Sequence, residues 1–126
     1  MRKARKIAAV LLALILIVFG ANFFLELFEL PPPRDEHPGD QLLLAMRNGG
    51  LMAWVSLSHV LVGALLLLPR ARYLGALLQA PISLGILAFH ASMQPEGLGP
   101  AVVMLALNGL VLWEPARWRE VLACGN

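Results

Sequence analysis

Four long apolar runs limit what this chain can fold into. They lie at about residues 7–30, 51–68, 73–93 and 98–114. A helix needs about 20 apolar residues to cross the hydrocarbon core of a bilayer. The longer runs exceed this length, and the shorter ones are only just long enough to cross. Charged residues make up only 14% of the chain, against about 25% in ordinary soluble domains. The sequence therefore predicts a single all-α domain over 1–126, an integral membrane four-helix bundle.

The first run follows the basic segment MRKARK, and secretory signal peptides begin with the same order of a basic segment and an apolar run. Its apolar character continues to Leu30, well beyond the usual core of such a peptide. A cleavage site ending at Ala21 would place the bulky Phe19 where a small residue is preferred. We therefore expect an uncleaved first transmembrane helix, which the three prolines at 31–33 end.

The positions of the basic residues indicate orientation. They gather before the first run, between the second and third runs, and after the fourth: Arg2, Lys3, Arg5, Lys6, Arg70, Arg72, Arg117 and Arg119. The positive-inside rule then places both termini in the cytoplasm, as in a multi-pass protein of the cell inner membrane. Small basic groups that flank apolar runs do not form a phosphate-tracking surface, so no nucleic-acid partner is expected.

The connection between the first two runs is polar and rich in turn residues. Residues 41–46 are expected to form a short helical turn at the membrane surface, with a break at 48–50. The acidic and histidine side chains of this connection have no fixed ligand spacing, and a solvated loop explains them without a metal. These residues are Asp35, Glu36, His37 and Asp40.

Polar residues inside the apolar runs define the candidate site. The residues expected to meet in the outer half of the bundle are Asn22, Glu26, His59 and His90. A charged side chain at the bilayer centre costs roughly 2.5–3.5 kcal/mol on insertion scales, so such residues need partners. A pair between Glu26 and His90 is the first choice because both lie at similar depth. It would relay protons, hydrogen-bond a quinone carbonyl, or simply tie two helices together.

Other polar residues are expected to serve packing. Gln79, Ser83 and Asn108 are interpreted as contacts between helices, which are common in membranes. No metal site is predicted, because His59 and His90 differ in depth and belong to no HxxxH or ExxH pair. The chain has one cysteine and no CxxC motif, nucleophile–base arrangement or phosphate loop.

Several segments resemble DoxX-like membrane proteins. FGANFF at 19–24, followed by PPP, is similar to their first helix, and SHVLVGALLLLPR at 58–70 to their second. AP at 80–81, LAFH at 87–90 and the QPEG turn resemble their third helix and its end. The resemblance implies a four-helix membrane bundle and a link to quinone-coupled sulfur oxidation or to complexes that handle oxidative and thiol stress. Family members often carry glutamate near the position of His59.

The sequence thus leads to one main functional hypothesis and two alternatives. The main one is a small DoxX-like inner-membrane protein, an accessory or quinone-interacting subunit of a redox system. Quinone is the one candidate cofactor, and the sequence assigns none with certainty. The alternatives are a non-enzymatic membrane scaffold or assembly protein, and a small proton-coupled transporter. Expected partners are the lipid bilayer, redox-complex subunits, or further copies of the chain. Whether the protein is an enzyme stays open.

Overall fold

The computed structural model describes residues 1–124, and within them the chain is helical without strands, as predicted. A short 3-10 turn, Pro95–Gly97, joins the fourth helix to the fifth. The α-helices are α1 (Arg2–Leu25), α2 (Pro38–Asn48), α3 (Leu51–Leu67), α4 (Arg72–Met93), α5 (Leu98–Leu112) and α6 (Pro115–Ala123).

Three segments are long and apolar enough to cross a membrane, namely α1, α4, and the 3-10 turn together with α5. The helix α3 is a fourth candidate when it is counted together with α2, although the two are bent by 88° at the break between them. Many large apolar side chains point outward from these helices, as a membrane protein requires. This part of the prediction, helices of membrane-spanning length, is confirmed.

The first helix ends at Leu25, five residues before the expected end at Leu30. Glu26 adopts a left-handed conformation, with φ 49° and ψ 49°, and its N–H donates to the carbonyl oxygen of Asn22. The Asn22 side chain also accepts a hydrogen bond from the N–H of Phe28 at 2.8 Å. These bonds satisfy groups at the helix end, so the chain leaves the helix although its sequence is still apolar.

Helix α2 is longer than the turn expected at 41–46. Pro38 stands at its first position, and Nδ1 of His37 accepts the N–H of Asp40, so the helix starts with a proline and a side-chain cap. The helix ends at the expected glycine break. Gly50 has φ +82°, a conformation that glycine adopts readily, and α3 then starts in a new direction.

The core forms where α1 packs against α3 and α5, and where α4 packs against α3 and α5. The buried residues of α1 lie mainly on one face, at intervals of three and four residues, and are Ala8, Ala9, Leu12, Ala13 and Leu16. Val62, Leu66, Ala76 and Val111 complete the cluster from the other helices. Because many of these side chains are small, the backbones can approach closely, as is common for membrane helices.

Gly20 shows how close that approach is. A Cβ atom built at this position would lie 2.7 Å from the backbone oxygen of Ser56 in α3. The backbone oxygen belongs to a helix and cannot move independently of it. The separation of α1 and α3 at this point therefore depends on glycine.

The start of α1 and the end of α5 lie at the same end of the protein. One guanidinium nitrogen of Arg5, Nη1, donates to the carbonyl oxygen of Trp113 at 3.2 Å and lies 3.3 Å from the Glu114 carboxylate. We call this end, with residues 2–6, the turn at 69–72 and helix α6, the basic end. The opposite end contains the segment from Glu26 to Asp40 and the turn after α4.

Candidate functional site

Asn22 and Glu26 lie at the end of α1, but neither takes the role expected from depth alone. Asn22 is buried, and its side chain is bonded to the loop backbone. Glu26 is exposed and lies just beyond the helix. The side chain of Glu26 therefore starts from a loop, not from a helix face turned towards α4.

His90 occupies the last turn of α4 and is bonded to its own chain. Its Nδ1 donates to the backbone oxygen of Gln94 at 3.0 Å, and its ring lies where any side-chain atom at Gly97 would overlap it. The ion pairs within residues 1–124 do not include one between Glu26 and His90. The expected pair is thus not formed, and His90 instead fixes the turn that follows α4.

His59 lies beside Gly20, where α1 and α3 approach closely. Its Cβ is 3.1 Å from the position that a Cβ at Gly20 would occupy. The Nε2 atom is buried and has no hydrogen-bond partner in the described part of the chain. An unpaired buried polar atom is costly in an apolar environment, so this nitrogen is an exception among the polar groups within the helices that calls for an explanation.

Gln79 and Ser83 are buried residues of α4, and Asn108 is a buried residue of α5. Nε2 of Gln79 donates to Oγ of Ser83 at 3.2 Å. In the amide orientation that pairs both its polar atoms, Asn108 donates to the oxygen of Ala76 at 3.1 Å and accepts the N–H of Ala80 at 3.2 Å. Asn108 therefore binds α5 to the backbone of α4 next to Pro81, a residue that lacks its own N–H.

Replacing Asn108 with leucine is expected to lower the free energy of unfolding by roughly 1 kcal/mol, because polar contacts between membrane helices contribute about 0.6–1.7 kcal/mol. The measurement is thermal unfolding of the purified protein in detergent. Gly109→Ala is the matched control, since a Cβ at this neighbouring position meets open space. If Asn108→Leu unfolds at the wild-type temperature or above it, Asn108 does not hold the two helices together.

The structure reveals a second polar group that the sequence interpretation missed. Nε of Arg34 lies 2.7 Å from Oδ2 of Asp40, and Nη1 of Arg34 lies 2.6 Å from Oε1 of Glu96. Nε2 of Gln94 donates to the other Asp40 oxygen at 2.9 Å. We call these residues, together with His37, the Arg34 cluster. It joins the loop after α1, the start of α2 and the turn after α4.

The charged side chains of the Arg34 cluster are paired with one another, Arg34 with both Asp40 and Glu96. Hydrogen bonds from the Arg34 side chain and backbone lower the pKa of Asp40 to about 2. The hydrogen bond to Asp40 in turn raises the pKa of Arg34. A carboxylate that is already ionised and paired does not serve as a general acid or base near neutral pH. The cluster therefore acts as a clamp between segments.

A signal for this cluster was present in the sequence. Arg34 and Glu96 have opposite charges and belong to the two connections expected at the same end of the bundle. His37, Pro38 and Asp40 also form a helix-start pattern, although histidine is not among the preferred capping residues. Within residues 1–124 no group of three or more His, Cys, Asp or Glu side chains is arranged to hold a metal ion.

Membrane-length helices with apolar outer faces, joined between α4 and α5 by the bonds of Asn108 and clamped at one end by the Arg34 cluster, define a small helical membrane-type protein. Comparison of the chain with models of protein families, with curated proteins and with solved structures found no match.

Proposed function

We propose that this chain is a small DoxX-like inner-membrane protein and serves as an accessory subunit of a membrane redox system. In this proposal α1, α3, α4 and α5 are the four spans of one bundle, and α2 and α6 lie at the membrane surfaces. The direction of the helices supports this arrangement, because α1 and α4 start at the basic end and α3 and α5 finish there.

The proposed orientation places the basic end in the cytoplasm. Each of the three segments at this end carries two or more lysine or arginine residues. The opposite end carries Asp35, Glu36, Asp40 and Glu96 beside a smaller number of basic residues. This distribution agrees with the positive-inside rule, and both termini would then be cytoplasmic.

The accessory role is supported mainly by the hydrogen bonds that the polar side chains within the helices form. Gln79 is bonded to Ser83, and Asn108 to the backbone of α4. The bonds of Asn108 hold α5 against α4, and the bond between Gln79 and Ser83 pairs two buried side chains within α4. The apolar side chains on the outer faces are available to lipid and to the helices of a partner, as an accessory subunit requires.

A quinone-interacting form of the same proposal depends on His59. A quinone carbonyl accepts hydrogen bonds, and Nε2 of His59 is the buried nitrogen that could donate one, since it has no partner in the described residues. His59 would hold and orient the quinone, and the quinone itself would supply the electron transfer. His59 therefore replaces His90 as the first residue to mutate, because His90 is already bonded to Gln94.

The two alternatives receive unequal support. A non-enzymatic scaffold is favoured by the hydrogen bonds of Asn108, which join α5 to α4. A proton-coupled transporter would need a relay, and the first-choice relay pair of Glu26 and His90 is not formed. The scaffold is therefore the second candidate.

The deciding experiment starts from membranes of a strain that lacks the gene. We expect these membranes to have lost quinone-dependent reductase activity and the wild-type protein to restore it. In a separate measurement, we expect redox subunits to co-purify with the tagged protein. The variant His59→Leu distinguishes the quinone-interacting form of the proposal from the scaffold. Leu61→Val, at an exposed position on the same helix, is its control. Restoration by both variants favours the scaffold. Unchanged activity without the protein, together with the absence of redox subunits from the purified complex, contradicts the redox role.

A further inference from the structure

An open crevice of about 520 Å³ lies at the basic end. It is formed by the start of α1, the turn between α3 and α4, the end of α5 and the start of α6. Its basic lining residues are Arg2, Lys3, Arg5, Lys6, Arg72 and Arg117. The positive-inside rule places basic residues at this end but does not require them to face a common cavity.

The crevice has more positive charge than its acidic lining neutralises. Glu114 lies 3.3 Å from Arg5 and 3.5 Å from Arg117, so both of these bases share its carboxylate. Lys3 and Lys6 also line the crevice, and neither has an ion pair within residues 1–124. Because the cations of the lining outnumber its acidic side chain, the crevice attracts anions.

Several cations of the crevice are held in position before any ligand arrives. Arg72 donates from Nε to the oxygen of Leu66 at 3.0 Å, and Arg5 donates to that of Trp113 at 3.2 Å. The guanidinium of Arg117 lies 5.4 Å from the centre of the Tyr73 ring, a cation–π contact. Fixed cations lose little conformational entropy on binding, so the part of the crevice formed by these three arginines is preorganised.

The crevice also has an apolar side, which favours a lipid over a free anion. Pro69, Tyr73 and Val111 belong to its lining, and it opens where the apolar helices end. The indole of Trp118 donates to the oxygen of Leu112 at 2.9 Å, which holds α6 against the end of α5. Tryptophan is typical of the headgroup level of a bilayer, and Trp113 is exposed beside it.

We propose that this crevice binds the phosphate of an anionic phospholipid headgroup, with the arginines and lysines on the phosphate and the acyl chains along the outer helix faces. Basic pockets between membrane helices bind headgroups of this kind. The proposal rests on the membrane-spanning part of the proposed function and is independent of any redox partner. It therefore stands or falls on lipid binding alone.

The test uses the purified full-length protein in detergent and measures bound lipid by native mass spectrometry. Phosphatidylglycerol and phosphatidylcholine of the same chain length are added at equal concentration. We expect preferential retention of phosphatidylglycerol. The double variant Lys3→Gln/Lys6→Gln is expected to lower its apparent affinity by at least tenfold, since each basic residue near a headgroup contributes about 1 kcal/mol.

The matched control is Arg70→Gln/Arg119→Gln, which removes the same charge from the same end at positions outside the crevice lining. The control is expected to change the affinity by less than threefold. An equal loss in both double variants would show diffuse surface attraction, and equal retention of the two lipids would show no headgroup preference. Displacement of the lipid by millimolar inorganic phosphate would assign the crevice to a soluble phosphate compound. Each of these three results overturns the proposal.

Discussion

Replacing Gly20 with valine is expected to lower the free energy of unfolding by roughly 1–3 kcal/mol, the usual cost of inserting extra groups into a packed core. A Cβ at this position would lie 2.7 Å from the backbone oxygen of Ser56 and 3.0 Å from Cγ2 of Val60. A side chain such as Val60 can rotate, but the helix backbone cannot. The two helices must therefore move apart, which also loosens the core contacts of Leu16, one helical turn before Gly20 in α1. Thermal unfolding in detergent measures the effect.

Two further variants make the Gly20 result specific. Gly20→Ala adds only the Cβ and is expected to give an intermediate loss. Gly109→Val adds the same side chain to a membrane helix at a position where a Cβ meets open space, and we expect little change. If Gly20→Val and Gly109→Val unfold at the same temperature, the close approach of α1 and α3 is not required for stability.

Replacing Arg34 with glutamine is expected to be the most destabilising change at the opposite end of the protein. The variant leaves the side chain of Asp40, only 10% exposed, without its charged partner, and it also releases Glu96. An uncompensated carboxylate in a partly buried site is unfavourable, so the loop after α1 and the turn after α4 should separate. The expected result is a lower unfolding temperature at pH 7 and faster proteolysis in the segment between Glu26 and Asp40.

The effect of Arg34→Gln should depend on pH in a defined direction. The pKa of Asp40 is lowered to about 2 in the folded protein, from an ordinary value of 3.8. A group whose pKa is lowered by folding stabilises the folded state above its unfolded pKa, and this contribution is lost as the pH falls towards the folded value. The difference in unfolding temperature between wild type and variant is therefore expected to be full above about pH 4 and to shrink towards pH 2.

The control for this variant is Arg70→Gln, which removes an exposed arginine at the basic end. It should leave the unfolding temperature nearly unchanged at every pH. A difference between wild type and Arg34→Gln that stays constant from pH 7 to pH 2 would show that Asp40 is not the partner that matters.

The helix boundaries were the most predictable feature of this protein. The starts and ends of α3, α4 and α5 fall within two residues of the positions predicted from the apolar runs. Prolines, glycines and basic residues mark these boundaries in the sequence itself. The end of α1 was less predictable, because its apolar character continues while the backbone turns at Glu26.

The contacts of the candidate site were less predictable from the sequence than the helix boundaries. The pairing of Glu26 with His90 assumed that α1 continued to Leu30 and placed Glu26 on a helix face. Once the helix ends at Leu25, Glu26 belongs to the loop, and the depth comparison no longer applies. The interpretation of Gln79, Ser83 and Asn108 as contacts between helices stays a prediction. The bonds of Asn108 agree with it, whereas the bond between Gln79 and Ser83 lies within α4.

The sequence by itself determined that this chain forms membrane-length helices and that its basic residues collect at one end. Local composition and chain order are sufficient for both. Only the tertiary structure decided that Arg34 meets Glu96, 62 residues away, and that Asn108 bonds to the backbone of α4. Helices that are apolar on nearly all sides do not specify their rotation about their own axes. The packing of small residues such as Gly20 sets that rotation, and with it the polar atoms that meet.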